Sequence, residues 1–263
     1  MTPDLQVALE AARAGAEVVR QGFLTRPEVA MKGAVDPVTE VDQAAEHAVL
    51  RVLDRHRTDD AVLGEESGGA GWDSDRVWIV DPLDGTVNFI HDMPHFSVSV
   101  ALWEEGTPRV AVVIDVIRGE EFTAESGAGS QLNGEPITVS TEPDFGDSLI
   151  VTGFPYDRQE HADAYASTMA AVMSRVRGVR RLGSAALDFA WVACGRFDGY
   201  WEYSLAPWDT AAGVLLVTEA GGVVTDTAGR PYDPSSVTVA ASNGLIHPAL
   251  VEVVTAHLPG HLE

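Results

Sequence analysis

Residues 77–89 read VWIVDPLDGTVNF. The apolar run VWIV has the β-branched and aromatic content of a short buried strand. It ends in two aspartates, a proline and a glycine. Pro82 and Gly85 force a sharp turn. Such a turn can aim the carboxylates of Asp81 and Asp84, and the carbonyl of Leu83, at one point. Two close carboxylates repel and raise each other's pKa. A divalent cation relieves that repulsion, and carboxylate, carbonyl and water are the ligands of a hard ion such as Mg²⁺. The same residues also fit an Asx-turn in which Asp84 caps a helix starting near Thr86. Alone, DPLDG suits a turn as well as a metal site.

Two further segments shift the balance. GEES (64–67) places Glu65 at another strand end, and WDTAAG (208–213) places Asp209 in the first turn of a helix. Taken singly, Glu65 belongs to a solvated acidic loop and Asp209 is an acid favoured by the helix dipole. Four acids at strand ends and helix starts in separate segments point instead to one metal-binding constellation.

Composition bounds the function. The chain has 263 residues, 45% of them hydrophobic, enough for one large domain or two closely packed subdomains. Its longest apolar runs, such as VAVVI (110–114) and GVLLV (213–217), are too short to span a membrane. The N-terminal MTPDLQVALEAARAG has no charged start followed by an apolar core, so no secretory signal is expected. A single cysteine, Cys194, excludes an internal disulfide and favours the cytoplasm. The formal net charge of −23 argues against binding nucleic acid through its phosphates. A phosphate substrate fits so acidic a chain only if bound cations reverse the local field. Lys32 is the only lysine; genomic base composition accounts for that bias more simply than function.

Periodicity predicts a helix from Leu5 to about Phe23, an extended link, and a second helix from Gln43 to about His56, with Asp42 available as its N-cap. Residues 61–64 and 77–81 read as short strands, and 96–103, 110–116 and 120–125 as antiparallel neighbours. LNGEP (132–136) carries the Asn-Gly pair of a tight hairpin. Beyond about residue 145, strand and helix alternate: strand 148–154, helix Glu160–Met173, extended 178–183, helix 184–195, strand 196–203, helix 208–222, two strands in 223–242, and a closing helix over 247–258. The expectation is an α/β (α+β) chain of two subdomains, 1–145 and 146–263, the first carrying most of the metal ligands and the second the substrate-side residues and Asp209.

DPLDGTVNFIHDMPHFSVSVAL, preceded by GEES and followed by WDTAAGVLLVTEAGG, resembles the inositol monophosphatase family of Mg²⁺-dependent, lithium-sensitive phosphatases. The resemblance runs from about Lys32 to Gly222. It implies a layered α/β/α/β/α sandwich of the sugar-phosphatase type, usually a homodimer. Glu65, Asp81 and the Leu83 carbonyl would hold a first Mg²⁺; Asp81, Asp84 and Asp209 a second; a third, where present, would lean on Glu65 through waters. Thr86 would order the attacking water, with Asp42 as its orienting partner, so that Glu65, Thr86 and Asp42 form the catalytic set. The backbone N–H groups of Gly85 and Thr86 would bind phosphate oxygens. VTEVD, with Thr39 and Asp42, fits an upstream motif; the role of Lys32 stays open.

On the leaving-group side, GSAALDFAWVACGRFDGYWEYSLAPWD resembles the inositol-phosphate branch. Gly183, Ser184 and Ala185 would line the sugar, Glu202 would accept from a ring hydroxyl, and Asp209 would serve substrate as well as metal. Arg181 and Asp188 are further substrate-side candidates, Asp188 being more simply a helix-surface charge. Without the resemblance, Glu202 is an exposed strand carboxylate. Cys194, His91 and His95 are assigned to structure. The expected activity is hydrolysis of a phosphate monoester by water, without a covalent intermediate, most simply of inositol 1-phosphate. Histidinol phosphate, fructose 1,6-bisphosphate (with Arg158, Arg180 and Arg181 on offer) and 3′-phosphoadenosine 5′-phosphate are alternatives. A regulatory or binding protein on the same scaffold is the alternative of a different class.

Overall fold

The computed structural model describes residues 1–25, 27–31, 37–69, 74–233 and 235–262. Lys32 and the neighbouring Asp36 lie outside the described residues. Helix α1 (Pro3–Gly22) leads to strands β1 (Val29–Met31) and β2 (Pro37–Thr39) and helix α2 (Glu40–His56). Then come β3 (Ala61–Gly64), β4 (Gly68–Gly69), β5 (Arg76–Asp84), the short α3 (Thr86–Ile90), β6 (Ser97–Glu104), β7 (Thr107–Asp115), β8 (Glu120–Glu125), β9 (Gly129–Leu132) and β10 (Glu135–Ile137). The second half holds β11 (Leu149–Thr152), α4 (Ala162–Met173), β12 (Gly178–Arg180), α5 (Ala185–Ala193), β13 (Gly199–Tyr203), α6 (Pro207–Glu219), β14 (Val223–Thr225), β15 (Thr238–Ser242) and α7 (His247–Ala256).

Strands β3 to β10 form one sheet in the order β10-β9-β8-β7-β6-β5-β3-β4, and the later strands a second in the order β12-β11-β13-β15-β14. Alternation along β6 shows how the layers arise. Val98, Val100 and Leu102 face the apolar stripes of α1 and α2. Ala101 and Trp103 face the opposite way, toward α5 and α6. The far side of those two helices meets Val151, Tyr200, Val239 and Ala241 of the second sheet. That sheet turns Ile150, Trp201 and Ala240 outward onto α4 and α7. The sequence of layers is helix, sheet, helix, sheet, helix, as expected. Period-two strands present both faces to helices, so both must be apolar. Full burial of each such side chain contributes about 1.5–3 kcal/mol.

The expected hairpin is present: Asn133 and Gly134, both at positive φ, join β9 to β10. We carry the division at 145/146 forward as a proposal. Each sheet draws its strands from one side of it, while α5 and α6 pack against both sheets.

Two expectations about local structure change. The strand does not stop at Asp81; β5 runs through Asp84. Asp81 pairs with Ser99 and Asp84 with Ser97, so three steps on β5 match two on β6, a bulge between the aspartates. A bulge re-aims side chains without ending the strand, a common device beside active sites. Asp42 is not an N-cap either. Helix α2 starts earlier than predicted, with Thr39 as N-cap and Asp42 at the third helical position. The Thr39 N–H donates to Asp42 Oδ2 at 2.8 Å, closing a capping box.

Candidate active site

The loop after β5 is built around Asp81. Its Oδ1 accepts from the Leu83 N–H at 3.0 Å, so the Asx-turn belongs to Asp81 rather than Asp84. Gly85 follows at φ 99°, a left-handed conformation that a side chain would strain, and opens α3 without a side-chain cap. Asp84 therefore does not cap α3. It reaches across to the start of α5, where Oδ1 accepts from the Ala185 N–H at 3.1 Å and Oδ2 from the Ala186 N–H at 2.8 Å. Oδ2 also takes the Ser184 hydroxyl at 2.5 Å and the Ser97 hydroxyl at 3.2 Å. Asp84 thus caps a helix of the other half, and that contact binds the two halves of the site together.

Thr86 is buried, with its Oγ1 3.0 Å from Asp42 Oδ1 and 3.0 Å from the Leu83 carbonyl oxygen. Asp42 is itself held on its other oxygen by the Thr39 N–H and, at 2.5 Å, the Thr39 hydroxyl. Burial raises the Asp42 pKa, and the bonds from Thr39 and Thr86 oppose the rise. The Asp42–Thr86 pairing expected from the sequence is present.

The acids cluster electrostatically. Burial, then Glu65, Asp84 and Asp209 in turn, push the Asp81 carboxyl well above its usual range, and Glu65 lies within hydrogen-bonding reach of it. Asp209, whose Oδ2 accepts from the Ala206 N–H at 2.7 Å, is raised by burial and then by Asp84. Asp84 is raised by burial against its four donors. Among the described residues, no three acidic, histidine or cysteine side chains close tightly enough to form a coordination sphere as they stand. The fit to a cation rests instead on the donor set. Buried and half-buried carboxyls that raise one another's proton affinity are the environment a hard dication relieves.

One cavity of about 370 Å³ brings the two halves together; Asp84, Gly85, Thr86, Gly183, Ser184, Ala185, Glu202 and Asp209 all line it. Arg158 and Arg181 also line it; Arg180 is not among the lining residues. Glu202 is not the exposed carboxylate the strand pattern suggested. It is buried, accepts from the Tyr200 hydroxyl at 2.6 Å, and has its pKa pushed up to about 7, chiefly by burial. Its carboxylate lies over Gly153, where an added Cβ would sit 2.0 Å from Oε1, so only glycine leaves room for it. Asp188 is likewise not on the helix surface. It is 1% exposed, and neither carboxyl oxygen has a hydrogen-bond partner. Burial and then Glu202 raise its pKa well above normal.

Three supporting residues escaped the sequence reading. Glu46 is buried and accepts from the Glu66 N–H and the Ser67 N–H, both at 2.9 Å, fixing the turn that carries Glu65. Its position four residues after Asp42, on the buried face of α2, was the available signal. Asn88 donates to the His95 and Leu182 carbonyls, both at 2.8 Å, tying the loop after α3 to the Gly183 turn. Ser97 joins Asp84 to Ser184. These last two contacts cross about ninety residues of sequence, and no local pattern announces them. His95 is buried and held near pKa 4 by burial, and is neutral there.

Known proteins resemble this chain in sequence and fold. The sequence pattern described as the inositol monophosphatase family matches residues 1–259. The chain belongs to the inositol monophosphatase family. Nus factor SuhB of Pseudomonas aeruginosa is 42% identical over the full length of both chains. Phosphatase IMPL1, chloroplastic, of Arabidopsis thaliana is 43% identical, covering 94% of this chain and 69% of its own. The solved inositol monophosphatase of Anabaena (Nostoc) superposes with a TM-score of 0.88 at 41% identity, over 99% of this chain and 98% of that one. The family is generally Mg²⁺-dependent. Among the described residues, no helix is long and apolar enough to cross a membrane.

Proposed function

We propose that the chain is a Mg²⁺-dependent phosphate monoester hydrolase acting on inositol 1-phosphate. The observation that carries this reading is the cleft in which Asp84, Asp209, the Gly85–Thr86 turn, the Gly183–Ala185 turn and Glu202 meet, with Asp81 repelled by both aspartates and by Glu65. Glu65, Asp81 and the Leu83 carbonyl would hold one ion, and Asp81, Asp84 and Asp209 would hold a second; Glu65 would serve a third where one binds. When bound, these ions supply Lewis acidity to a water and positive charge to the phosphate.

The chain's own groups do the rest. With its hydroxyl proton shared between Asp42 and the Leu83 carbonyl, Thr86 keeps its lone pairs as acceptors and orients a water for in-line attack. The Gly85 and Thr86 N–H groups bind phosphate oxygens. Glu202, with Ser184 and the Gly183–Ala185 backbone, receives the hydroxyls of the leaving alcohol. No cysteine, serine or histidine nucleophile is needed. We place the protein in the cytoplasm, as a homodimer.

A second reading has its own support. A 42% identical relative carries the name Nus factor. We infer that any such partner-binding role sits on top of catalysis, since no metal-binding carboxylate and no Thr86 has been lost. Phosphate release from inositol 1-phosphate, histidinol phosphate, fructose 1,6-bisphosphate and 3′-phosphoadenosine 5′-phosphate separates the possibilities. Preference for the first supports the assignment. Preference for another keeps the metal chemistry and reassigns residues 181–203. Release from none puts the regulatory reading first.

A further inference from the structure

The cleft does not end at Arg158. Beyond it lies a second cavity of about 730 Å³, lined by Phe154, Arg158, Tyr165, Met169, Met173 and three alanines of α4. Phe154 and Arg158 line both cavities, so the second adjoins the first at these two residues. The second is mostly apolar, its polar members being Arg158, Ser174 and Tyr165, whose hydroxyl donates to Asp157.

Helix α4 explains the groove. Tyr165, Thr168 and Val172 bury one of its faces. Ala162, Ala166, Met169, Ala170 and Met173 recur at three- and four-residue spacing on another face, and line the cavity. Of the exposed large apolar side chains, Tyr156 (50% exposed) borders the cleft and Met173 (59%) the groove. An aromatic path leads between them. Tyr203, which lines the cleft, stacks on Tyr165 at 5.9 Å, and Tyr165 lies 6.5 Å from Phe154. Arg158 stands at the junction. Its Nη1 donates to the Pro155 carbonyl and its guanidinium lies 5.8 Å from the Tyr156 ring. Among the described residues it makes no ion pair with a carboxylate, unlike most arginines of this acidic chain.

A mostly apolar cavity with one cation at its neck, opening into a polar site, is the shape of a ligand pocket. Methionine side chains adapt to irregular apolar shapes. We infer that this groove binds an apolar group, alkyl or aryl, carried by the phosphate ester beyond the alcohol that Glu202 faces. The phosphate stays at the Gly85–Thr86 turn, and Arg158 spans the polar and apolar parts. This inference rests on the phosphatase reading, whose substrate class it extends.

The test uses n-butyl, n-hexyl and n-octyl phosphate, with inositol 1-phosphate as the polar reference. On the intact protein, kcat/KM rises about two- to fourfold per methylene over the series. In Ala166→Glu, a change at an exposed helix position, the octyl-to-inositol ratio of kcat/KM falls at least about tenfold. Turnover that is indifferent to chain length, or a ratio that Ala166→Glu leaves unmoved, overturns the groove and leaves the phosphatase reading intact. Calorimetric binding of octylphosphonate against methylphosphonate needs no turnover. Octylphosphonate binds more tightly, and Ala166→Glu removes the difference; equal binding overturns the inference. If no ester is hydrolysed, the phosphatase reading fails and calorimetry alone decides the groove. A dimer that Ala166→Glu dissociates makes this face a contact between copies, and overturns the proposal.

Discussion

Glu202 illustrates how burial converts a common residue into a recognition group. With its pKa near 7 and one oxygen taken by Tyr200, it is a full acceptor for a substrate hydroxyl only above neutrality. The KM for inositol 1-phosphate is expected to rise as pH falls from 8 to 6, while Glu202→Gln flattens that profile and leaves a simple aryl phosphate little changed. Asp188 makes a different prediction. Its folded pKa lies above the unfolded value of about 3.9, because burial disfavours its charge and nothing bonds to it. Its contribution to stability is therefore complete below that value and is lost as pH climbs toward the folded pKa. Asp188→Asn removes the loss. Thermal unfolding of the metal-free protein should show the variant gaining over the wild type at pH 8 and losing that gain by pH 4. In a chain of this size each kcal/mol moves Tm by about 2–4 °C.

At the scale of elements, helix α2 carries two supports of the site on one buried face. Asp42 holds Thr86, and four residues on Glu46 holds the turn behind Glu65. Glu46→Gln keeps the volume but offers a single good acceptor to two N–H donors. The Mg²⁺ concentration for half-maximal rate is expected to rise about 10–100-fold, the usual effect of losing a partner behind a metal ligand, with kcat at saturating Mg²⁺ less affected. A Mg²⁺ titration of the rate checks this. The helices and strands themselves were legible from periodicity, and so was the hairpin at Asn133–Gly134. Their joints were less so. A bulge between Asp81 and Asp84 depends on the facing strand, which no local pattern in DPLDG reveals. The same holds for Asp84 capping α5 a hundred residues away. Without the resemblance, Asp188 and Glu202 read as exposed for one reason: polarity predicts exposure unless a tertiary neighbour covers the residue.

At the scale of the molecule, five layers bring the end of β5 against the starts of α5 and α6, so that acids from both halves face one cleft. Folding places them there against their own repulsion, in a chain whose formal net charge is already −23. Cations that bind only the folded state should therefore stabilise it, by about 2.7 kcal/mol at a hundred times Kd. Tm should rise with Mg²⁺, and Asp209→Asn should shrink the rise. The layer order was open to the sequence only through the family resemblance, since composition and periodicity fix elements but not how two sheets stack. The most direct test of the account is phosphate release from inositol 1-phosphate across a Mg²⁺ titration, by the wild type and by Asp81→Asn. The expected result is saturable, Mg²⁺-dependent turnover that falls by more than about 100-fold in the variant, with circular dichroism unchanged. Turnover without any divalent cation, or undiminished in Asp81→Asn, would contradict the assignment of these carboxylates.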